Sequence, residues 1–297
     1  MKKFKVIGMP MKYGCMVDGA DMAYDSLKDV LESSLNVRCK TVVNTNYENA
    51  KEHLNDKRMR YVEPVMDISK RLYIEVYNSL HDNFPVIVGG DHSTCIGSIS
   101  AVLDYYKGDV SVIYIDKHAD IHTEKTSPSG NMHGIPLSIC IGRCDDRFKI
   151  GNYKLNPENL YYIGLSNFEI EEIEYINSSN ITAFMDFVVE EKKAEWIVKE
   201  IIKKIKTKYV HISFDLDSII DEDFHAVNVA VEGTYQDMGG LDFKMAKKIL
   251  GLLIENLNVI SMDIVEYNPL LDNDLKCKKK VEELLLEIKD KRNDSSK

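Results

Sequence analysis

The sequence predicts an α/β protein of three layers (α/β/α), in which helices cover both faces of a central, mostly parallel sheet of about eight strands. Short apolar runs rich in Val and Ile alternate with longer segments of helical period along the whole chain. Most of the short runs are continuously apolar, which is typical of strands buried on both faces. Strands that alternate with helices form βαβ units, and their crossovers make the strands parallel.

Eight runs are predicted to be strands. In chain order they are FKVIG, RCKTVV, PVIVGG, VSVIYID, LYYIGL, ITAF, YVHISFDLD and NVISMDIVE. Six segments with apolar residues at helical spacing are predicted to be helices. They are AYDSLKDVLESSL, EPVMDISKRLYIEVYNSLHDN, TCIGSISAVLDYY, EIEEIEYINS, EKKAEWIVKEIIKKI and DFKMAKKILGLLIENL. No Pro/Gly/Ser-rich linker interrupts the alternation, so we expect one domain over residues 1–290 and a disordered tail over 291–297.

The composition of the chain limits the kinds of molecule that the protein is expected to bind. The 297 residues carry a formal net charge of -10, which argues against nucleic acid or an anionic membrane surface because both select clustered positive charge. No apolar run approaches membrane-spanning length, and the apolar part of MKKFKVIGMP is too short for a signal peptide. The six cysteines lack CxxC spacing and are expected to be reduced. We therefore expect a cytoplasmic protein without a nucleic-acid or membrane partner.

Charged side chains follow four of the predicted strands at the point where each strand ends. They are Asp91 and His92 after the third strand, Asp116, His118, Asp120 and His122 after the fourth, Asp215 and Asp217 after the seventh, and Asp263 and Glu266 after the eighth. In a parallel sheet the carboxyl ends of the strands meet at one edge, where ligands bind. We therefore expect these side chains to share one site.

The stretch VSVIYIDKHADIHT has titratable groups at every second position from 116 to 122. If extended backbone persists there, these side chains project to one face and Lys117 points away from them. Carboxylates and imidazoles crowded together need water, a cationic partner or a bound metal. A solvated strand end whose acids cap the next loop is the alternative.

Six of these residues form a candidate set of metal ligands. They are His92, Asp116, His118, Asp120, Asp215 and Asp217. The set is too large for one catalytic zinc and too rich in oxygen for a structural zinc, but it suits two divalent ions, with Mn²⁺ favoured, that share bridging carboxylates. Two such ions can make a hydroxide nucleophile at neutral pH, so the predicted chemistry is hydrolysis. Locally, DLDS also suits a turn and GGDHST a helix cap.

Motifs along almost the whole chain, from VIGMPMKYG to NPLLD, resemble the arginase and agmatinase (ureohydrolase) family. In order they are GGDHS, DKHAD, SPSGNMHGIPL, SFDLD, GTYQDMGGL and DIVEYNP, and SPSGNMHG most resembles bacterial arginases. The resemblance implies a three-layer fold, two Mn²⁺ per subunit with other divalent metals as alternatives, a small guanidino substrate, and a homo-oligomer, either trimer or hexamer.

The same resemblance implies roles for the ligands. One manganese would be held by His92, Asp116, Asp120 and Asp215, and the other by Asp116, His118, Asp215 and Asp217. A hydroxide bridging the ions would attack the guanidinium carbon, and Asp120 counts among the catalytic residues. His133 matches the proton-shuttling histidine, and Glu266 the carboxylate that grips the guanidinium. A polar residue at a helix start is the plainer interpretation of His133.

The resemblance also proposes residues for the far end of the substrate. Ser129 and Asn131 match residues that hold the amino-acid carboxylate in arginases. Thr234 is assigned to substrate binding through its motif, and Glu169 could meet the ammonium group. His122 replaces the asparagine usual in the carboxylate-binding set. For Ser129 and Asn131 a loop-capping role is the alternative, and for Glu169 a place on the helix surface.

Three hypotheses about function follow. The first is an arginase that hydrolyses L-arginine to L-ornithine and urea. The second is an agmatinase or a hydrolase of another guanidino compound. The third is a binding protein of the same fold without turnover, whose signature would be missing ligands. The loop over residues 218–235 is longer than the family's usual link, and His225 and Asn228 are either substrate contacts or part of a surface insertion.

Overall fold

The eight strands form one sheet in which every pairing is parallel, and their order is β2-β1-β3-β8-β7-β4-β5-β6. The computed structural model describes residues 2–55, 58–227 and 239–294. The strands are β1 Lys3–Met9, β2 Thr41–Val42, β3 Asn83–Gly89, β4 Val110–Ile115, β5 Leu160–Leu165, β6 Thr182–Met185, β7 Tyr209–Asp215 and β8 Val259–Val265. The predicted α/β class and the strand number are confirmed.

Helices cover both faces of the sheet, which confirms the three layers. They are α1 Ala23–Leu35, α2 Val62–Ser79, α3 Cys95–Tyr105, α4 Pro136–Ile141, α5 Ile170–Ser178, α6 Asp186–Lys192, α7 Ala194–Lys204, α8 Phe243–Asn256 and α9 Lys276–Asp294. Buried side chains of α1, α7, α8 and α9 form one core with one sheet face. Those of α2, α3, α4 and α5 form a second core with the other face.

Three segments differ from the sequence expectation, and one of them is the short helix α4, which is absent from the six predicted helices. The segment EKKAEWIVKEIIKKI is not one helix, because Lys193 has a φ of 70° and separates α6 from α7. Helix α9 was not among the predicted helices and includes residues 291–294 of the expected tail. Val281, Leu285 and Ile288 are buried in the core and anchor it. None of the helices in the described part of the chain is long and apolar enough to cross a membrane.

The four strands that carry charged ends lie side by side in the middle of the sheet, in the order β3-β8-β7-β4. β4 and β8 are buried along their whole length, which explains their continuously apolar sequences. The loop after β1 packs directly on the turn after β3, and a Cβ on Gly90 would lie 1.7 Å from the carbonyl oxygen of Met11. This close approach requires glycine and fixes the turn that presents His92.

Candidate metal centre

His92 begins a short 3₁₀ turn after β3, and its side chain is 1% exposed. Its Nδ1 lies 2.9 Å from Asp116 Oδ2, 2.8 Å from Asp215 Oδ2 and 3.4 Å from Asp120 Oδ2. Burial lowers the pKa of His92, but the negative charges of Asp215 and Asp116 outweigh it and raise the pKa well above its ordinary value. One imidazole nitrogen therefore faces three carboxylates.

His118 forms a second group at the same edge. Its Nδ1 lies 3.0 Å from Asp217 Oδ2 and 3.6 Å from Asp116 Oδ1. Asp116 thus belongs to both groups of close potential ligand atoms, whereas Asp215 is in the first group only. A further contact joins the two groups, since Asp215 Oδ1 accepts a hydrogen bond from the backbone N–H of Asp217 at 2.8 Å. The structure therefore brings all six predicted ligands together.

The residues present fit divalent cations. Asp217 Oδ1 is buried and has no hydrogen-bond partner among the described residues, which is costly for a carboxylate oxygen unless a cation satisfies it. Burial and the charge of Asp116 raise the pKa of Asp120 to about 7, and burial and the charge of Asp217 raise that of Asp215. The cluster holds more negative charge than its imidazoles balance. Mixed imidazole and carboxylate donors suit Mn²⁺ and related divalent ions.

Strand alternation alone does not produce this convergence. β4 ends at Ile115, so residues 116–122 do not continue the strand as the spacing suggests. Asp120 has a φ of 49° and Glu266 a φ of 67°, in the left-handed region that costs non-glycine residues energy and is frequent at functional sites. Because of the turn at Asp120, its carboxylate lies near His92, whereas His122 lies outside the cluster.

Lys117 is not remote from the cluster. Strand alternation predicted that its side chain would point away from the ligands. Its side chain is almost fully buried, at 1% exposed, because the chain has left the strand. Burial raises the pKa of Asp217, but the charge and hydrogen bond of His118, together with the charge of Lys117, hold that pKa well below its ordinary value. Lys117 therefore acts electrostatically on Asp217, one of the proposed ligands.

Tyr114, on β4, supports two of the proposed ligands. Its ring stacks on the His92 imidazole with centroids 4.4 Å apart and planes at 1°. Its hydroxyl donates to Asp120 Oδ2 at 2.8 Å and lies 3.0 Å from His92 Nδ1. On the other side of the ring, His92 Nε2 lies 2.9 Å from Ser213 Oγ. The sequence does not mark Tyr114 as a site residue, since a tyrosine inside an apolar run is typical of a core residue.

Glu266 and His133 lie beside the cluster. Glu266 Oε1 accepts a hydrogen bond from the backbone N–H of His92 at 2.7 Å and lies 3.9 Å from His133 Nδ1. Burial lowers the pKa of His133, but the hydrogen bond and charge of Glu266 raise it overall. Asp91 accepts hydrogen bonds from the backbone N–H groups of Gly14 and Ser93, so its carboxylate holds two loops together.

His122 is not part of the metal cluster. It pairs with Glu172 on α5 and with Glu169, the residue that precedes this helix. Its Nε2 lies 3.1 Å from Glu169 Oε2 and 3.7 Å from Glu172 Oε2, and its Nδ1 lies 3.0 Å from Thr126 Oγ1. The hydrogen bond with His122 is the main cause of a Glu169 pKa of about 2, whereas burial raises the pKa of Glu172 to about 8. Both ring nitrogens of His122 thus have partners within the protein.

The remaining predicted substrate residues lie at the surface or outside the described residues. Ser129 is exposed and its Oγ accepts the Asn131 backbone N–H at 3.1 Å. Asn131 Oδ1 accepts a hydrogen bond from Arg60 Nη1 at 3.2 Å, a partner that sequence analysis missed because it comes from a distant loop. Thr234 lies outside the described residues, as does Asn228.

The comparisons with known proteins extend over nearly the whole chain. A sequence model of the Arginase family matches residues 2–288. The arginase of Bacillus caldovelox is 30% identical over 284 residues, covering 92% of this chain and 93% of that protein. The Staphylococcus aureus arginase is 28% identical over 284 residues and covers 92% of each chain. The solved B. caldovelox arginase structure is similar, with a TM-score of 0.89 at 27% identity over 97% of this chain and 98% of that one.

Proposed function

Since the chain belongs to the arginase family and is a hydrolase of C–N bonds in linear amidines, we propose that it hydrolyses L-arginine to L-ornithine and urea. The observation that carries this proposal is the meeting of three histidines and five acids at the carboxyl edge of the sheet. Besides the six metal-ligand candidates, the set contains His133 and Glu266. Glu266 contacts the backbone of His92, and His133 lies beside Glu266.

The six candidates would hold two Mn²⁺ ions, with Asp116 between the two groups. When bound, such ions supply a water molecule whose pKa is low enough to act as a nucleophile at neutral pH. Tyr114 and Ser213 would keep the His92 ring in one orientation, since both contact its nitrogens. Partners of this kind typically tune metal affinity as well as ligand geometry.

Glu266 would bind and orient the guanidinium. A carboxylate can accept two parallel charge-assisted hydrogen bonds from this planar group. The position of Glu266 is fixed by its backbone, because its N–H donates to Gly90 O at 2.9 Å. His133 would deliver a proton to the departing amine, and its raised pKa keeps the imidazole protonated to a higher pH than an isolated histidine.

Arg60 supports arginine rather than agmatine as the substrate. Agmatine lacks the carboxylate of arginine, and Arg60 presents a guanidinium beside Asn131 at the loop that arginases use for that carboxylate. An arginine can bind a carboxylate through two parallel hydrogen bonds. At the other side of the tail, Glu169 supplies negative charge for an ammonium group, although His122 already shares that charge.

One observation favours a different guanidino substrate. His122 replaces an asparagine of the carboxylate-binding set, and both its ring nitrogens are engaged by Thr126 and Glu169. The hydrogen-bond donor that arginases offer to the substrate carboxylate at this position is therefore already used within the protein. An agmatine-like substrate without a carboxylate would not need it.

The test is urea release from arginine, agmatine and a series of shorter guanidino acids, measured with Mn²⁺-loaded protein. Urea mainly from arginine supports the proposal, and urea only from agmatine favours the alternative. Absence of urea from every compound, with metal bound, would contradict hydrolysis and support a binding protein.

Arg60→Met tests the assignment of the substrate tail. We expect KM for arginine to rise about 10–100-fold, because hydrogen bonds to charged groups contribute about 1.5–3 kcal/mol. KM for agmatine should not change. Arg58→Met, at an exposed position in the same loop, is the matched control. An equal rise in KM for both substrates would show that Arg60 does not meet the carboxylate.

A further inference from the structure

A second cluster of metal-ligand types lies outside the proposed metal centre. His225, Asp272 and Cys277 each offer one ligand atom, and these atoms lie within 4.8 Å of one another. His225 follows β7 by ten residues, Asp272 follows β8, and Cys277 lies in the first turn of α9. None of the three is among the six candidates for the manganese ions, so the cluster has no role in the proposed reaction.

The separation of the sulfur and nitrogen atoms suits a shared ion. Cys277 Sγ lies 3.7 Å from His225 Nδ1. In a tetrahedral zinc site with a Zn–S distance of about 2.3 Å and a Zn–N distance of about 2.0–2.1 Å, the two ligand atoms are about 3.6 Å apart. Small side-chain movements would therefore admit the ion. A weak thiol–imidazole hydrogen bond is the competing explanation for the same distance.

Asp272 is held in place by its own hydrogen bonds. Its Oδ1 accepts the Cys277 backbone N–H at 3.1 Å, and its Oδ2 accepts the Tyr267 hydroxyl and the Lys278 backbone N–H at 2.8 and 2.7 Å. A carboxylate oxygen has more than one lone pair, so these bonds orient the group without excluding a metal. Asp272 and Cys277 are 2% and 0% exposed, which is typical of preorganised ligands.

We propose that His225, Asp272 and Cys277 form a binding site for Zn²⁺, separate from the manganese site. Zinc accepts mixed thiolate, imidazole and carboxylate ligands, whereas the oxygen-rich centre at the sheet edge suits harder ions. Binding would form one Zn–S, one Zn–N and one Zn–O bond and release the thiol proton to solvent. The fourth position would be taken by water.

The site would join the loop after β7 to the start of α9. Val227 already pairs with Tyr267 across an isolated bridge, and Asn268 N–H donates to Ala226 O at 2.8 Å. Tyr267 in turn directly follows Glu266 in the chain. Zinc would therefore stabilise a segment that is attached to the backbone of the proposed guanidinium-binding residue.

Cobalt titration of the purified full-length chain tests the proposal, because a cobalt ion bound by a thiolate absorbs in the near ultraviolet and one bound only by oxygen and nitrogen does not. We expect this absorption in the native chain, its loss on adding Zn²⁺, and its absence in Cys277→Ser. The native chain should also bind one equivalent more cobalt than Cys277→Ser. Cys15→Ser is the matched control and should keep the absorption.

His225→Ala provides a second variant at an exposed position, where folding is not at risk. It should bind the extra cobalt at least about 10-fold more weakly, while the metal-free protein unfolds at the native temperature. No thiolate absorption in the native chain, or unchanged absorption in Cys277→Ser, would overturn the proposal. Neither readout depends on urea release, so failure here is distinguishable from failure of the proposed hydrolysis.

Discussion

The two ends of the proposed active site are built differently. At the metal end, the ligands follow adjacent central strands, and Asp116 and His92 are 0% and 1% exposed. At the substrate-tail end, Ser129 and Arg60 are exposed loop residues, and His122 is already paired with Glu169. In the proposed site the sheet would thus fix the position of the reaction, whereas loops that can change without disturbing the sheet would determine which compound is held there.

This contrast predicts that substitutions at the metal end affect metal binding or turnover, and that substitutions at the tail end affect only substrate preference. The largest effect on metal binding is expected for Asp120→Ala. Metal affinity should fall by more than about 100-fold, because losing a partner that merely supports a ligand already costs about 10–100-fold. Metal content per chain after dialysis measures this. Asp146→Ala, an exposed carboxylate, is the control, and full metal content in Asp120→Ala would remove Asp120 from the ligand set.

His133→Ala should separate turnover from metal binding. We expect kcat to fall about 10²–10⁴-fold, the usual contribution of a general acid or base, with metal content unchanged. Added imidazole should restore part of the activity. Parallel loss of metal and activity would indicate that His133 supports the metal centre rather than proton transfer.

Tyr114→Phe should have a smaller effect at the metal end. The ring can still stack on His92, but the hydrogen bond to Asp120 is lost. We expect metal affinity to fall about 10–100-fold, measured by calorimetric titration of the metal-free protein. Tyr161→Phe removes a hydroxyl from a buried tyrosine of β5 and should leave affinity unchanged. Equal effects of both variants would point to general destabilisation instead.

The smallest effect is expected at the tail end, for His122→Asn. This substitution breaks the pair with Glu169 and restores the donor usual in arginases. KM for arginine should fall about 2–10-fold, which corresponds to one hydrogen bond of about 0.5–1.5 kcal/mol. Neither kcat nor metal content should change. A higher KM for arginine would mean that the His122–Glu169 pair itself recognises the substrate.

The sequence predicted the sheet well, and it predicted that the six candidate ligands lie near one another, because both follow from simple physical rules. Buried parallel strands are continuously apolar, and the carboxyl ends of parallel strands meet. The patterns did not reveal the turn at Asp120, since a left-handed φ leaves no signature in residue spacing. The hydroxyl contacts of Tyr114 and the bond from Arg60 to Asn131 depend on tertiary packing.

Helix α9 was missed for a related reason. The segment KCKKKVEELLLEIKDKRND is dominated by charged residues, so it has the composition of a solvated tail. Its buried side chains pack in the same core as α1 and α8. A narrow apolar stripe is enough to fix a helix when a complementary surface exists, and sequence alone does not show that surface.

The place of β8 in the sheet has a consequence for biosynthesis. Among the described strands β8 is the last to be synthesised, yet it lies between β3 and β7, whose ends carry proposed ligands. A nascent chain shorter than residue 259 has a gap in the middle of its sheet, so His92 cannot take its final position relative to Asp215. We therefore expect the six candidate ligands to come together only late in maturation, and the unfinished chain to be the form most exposed to misfolding.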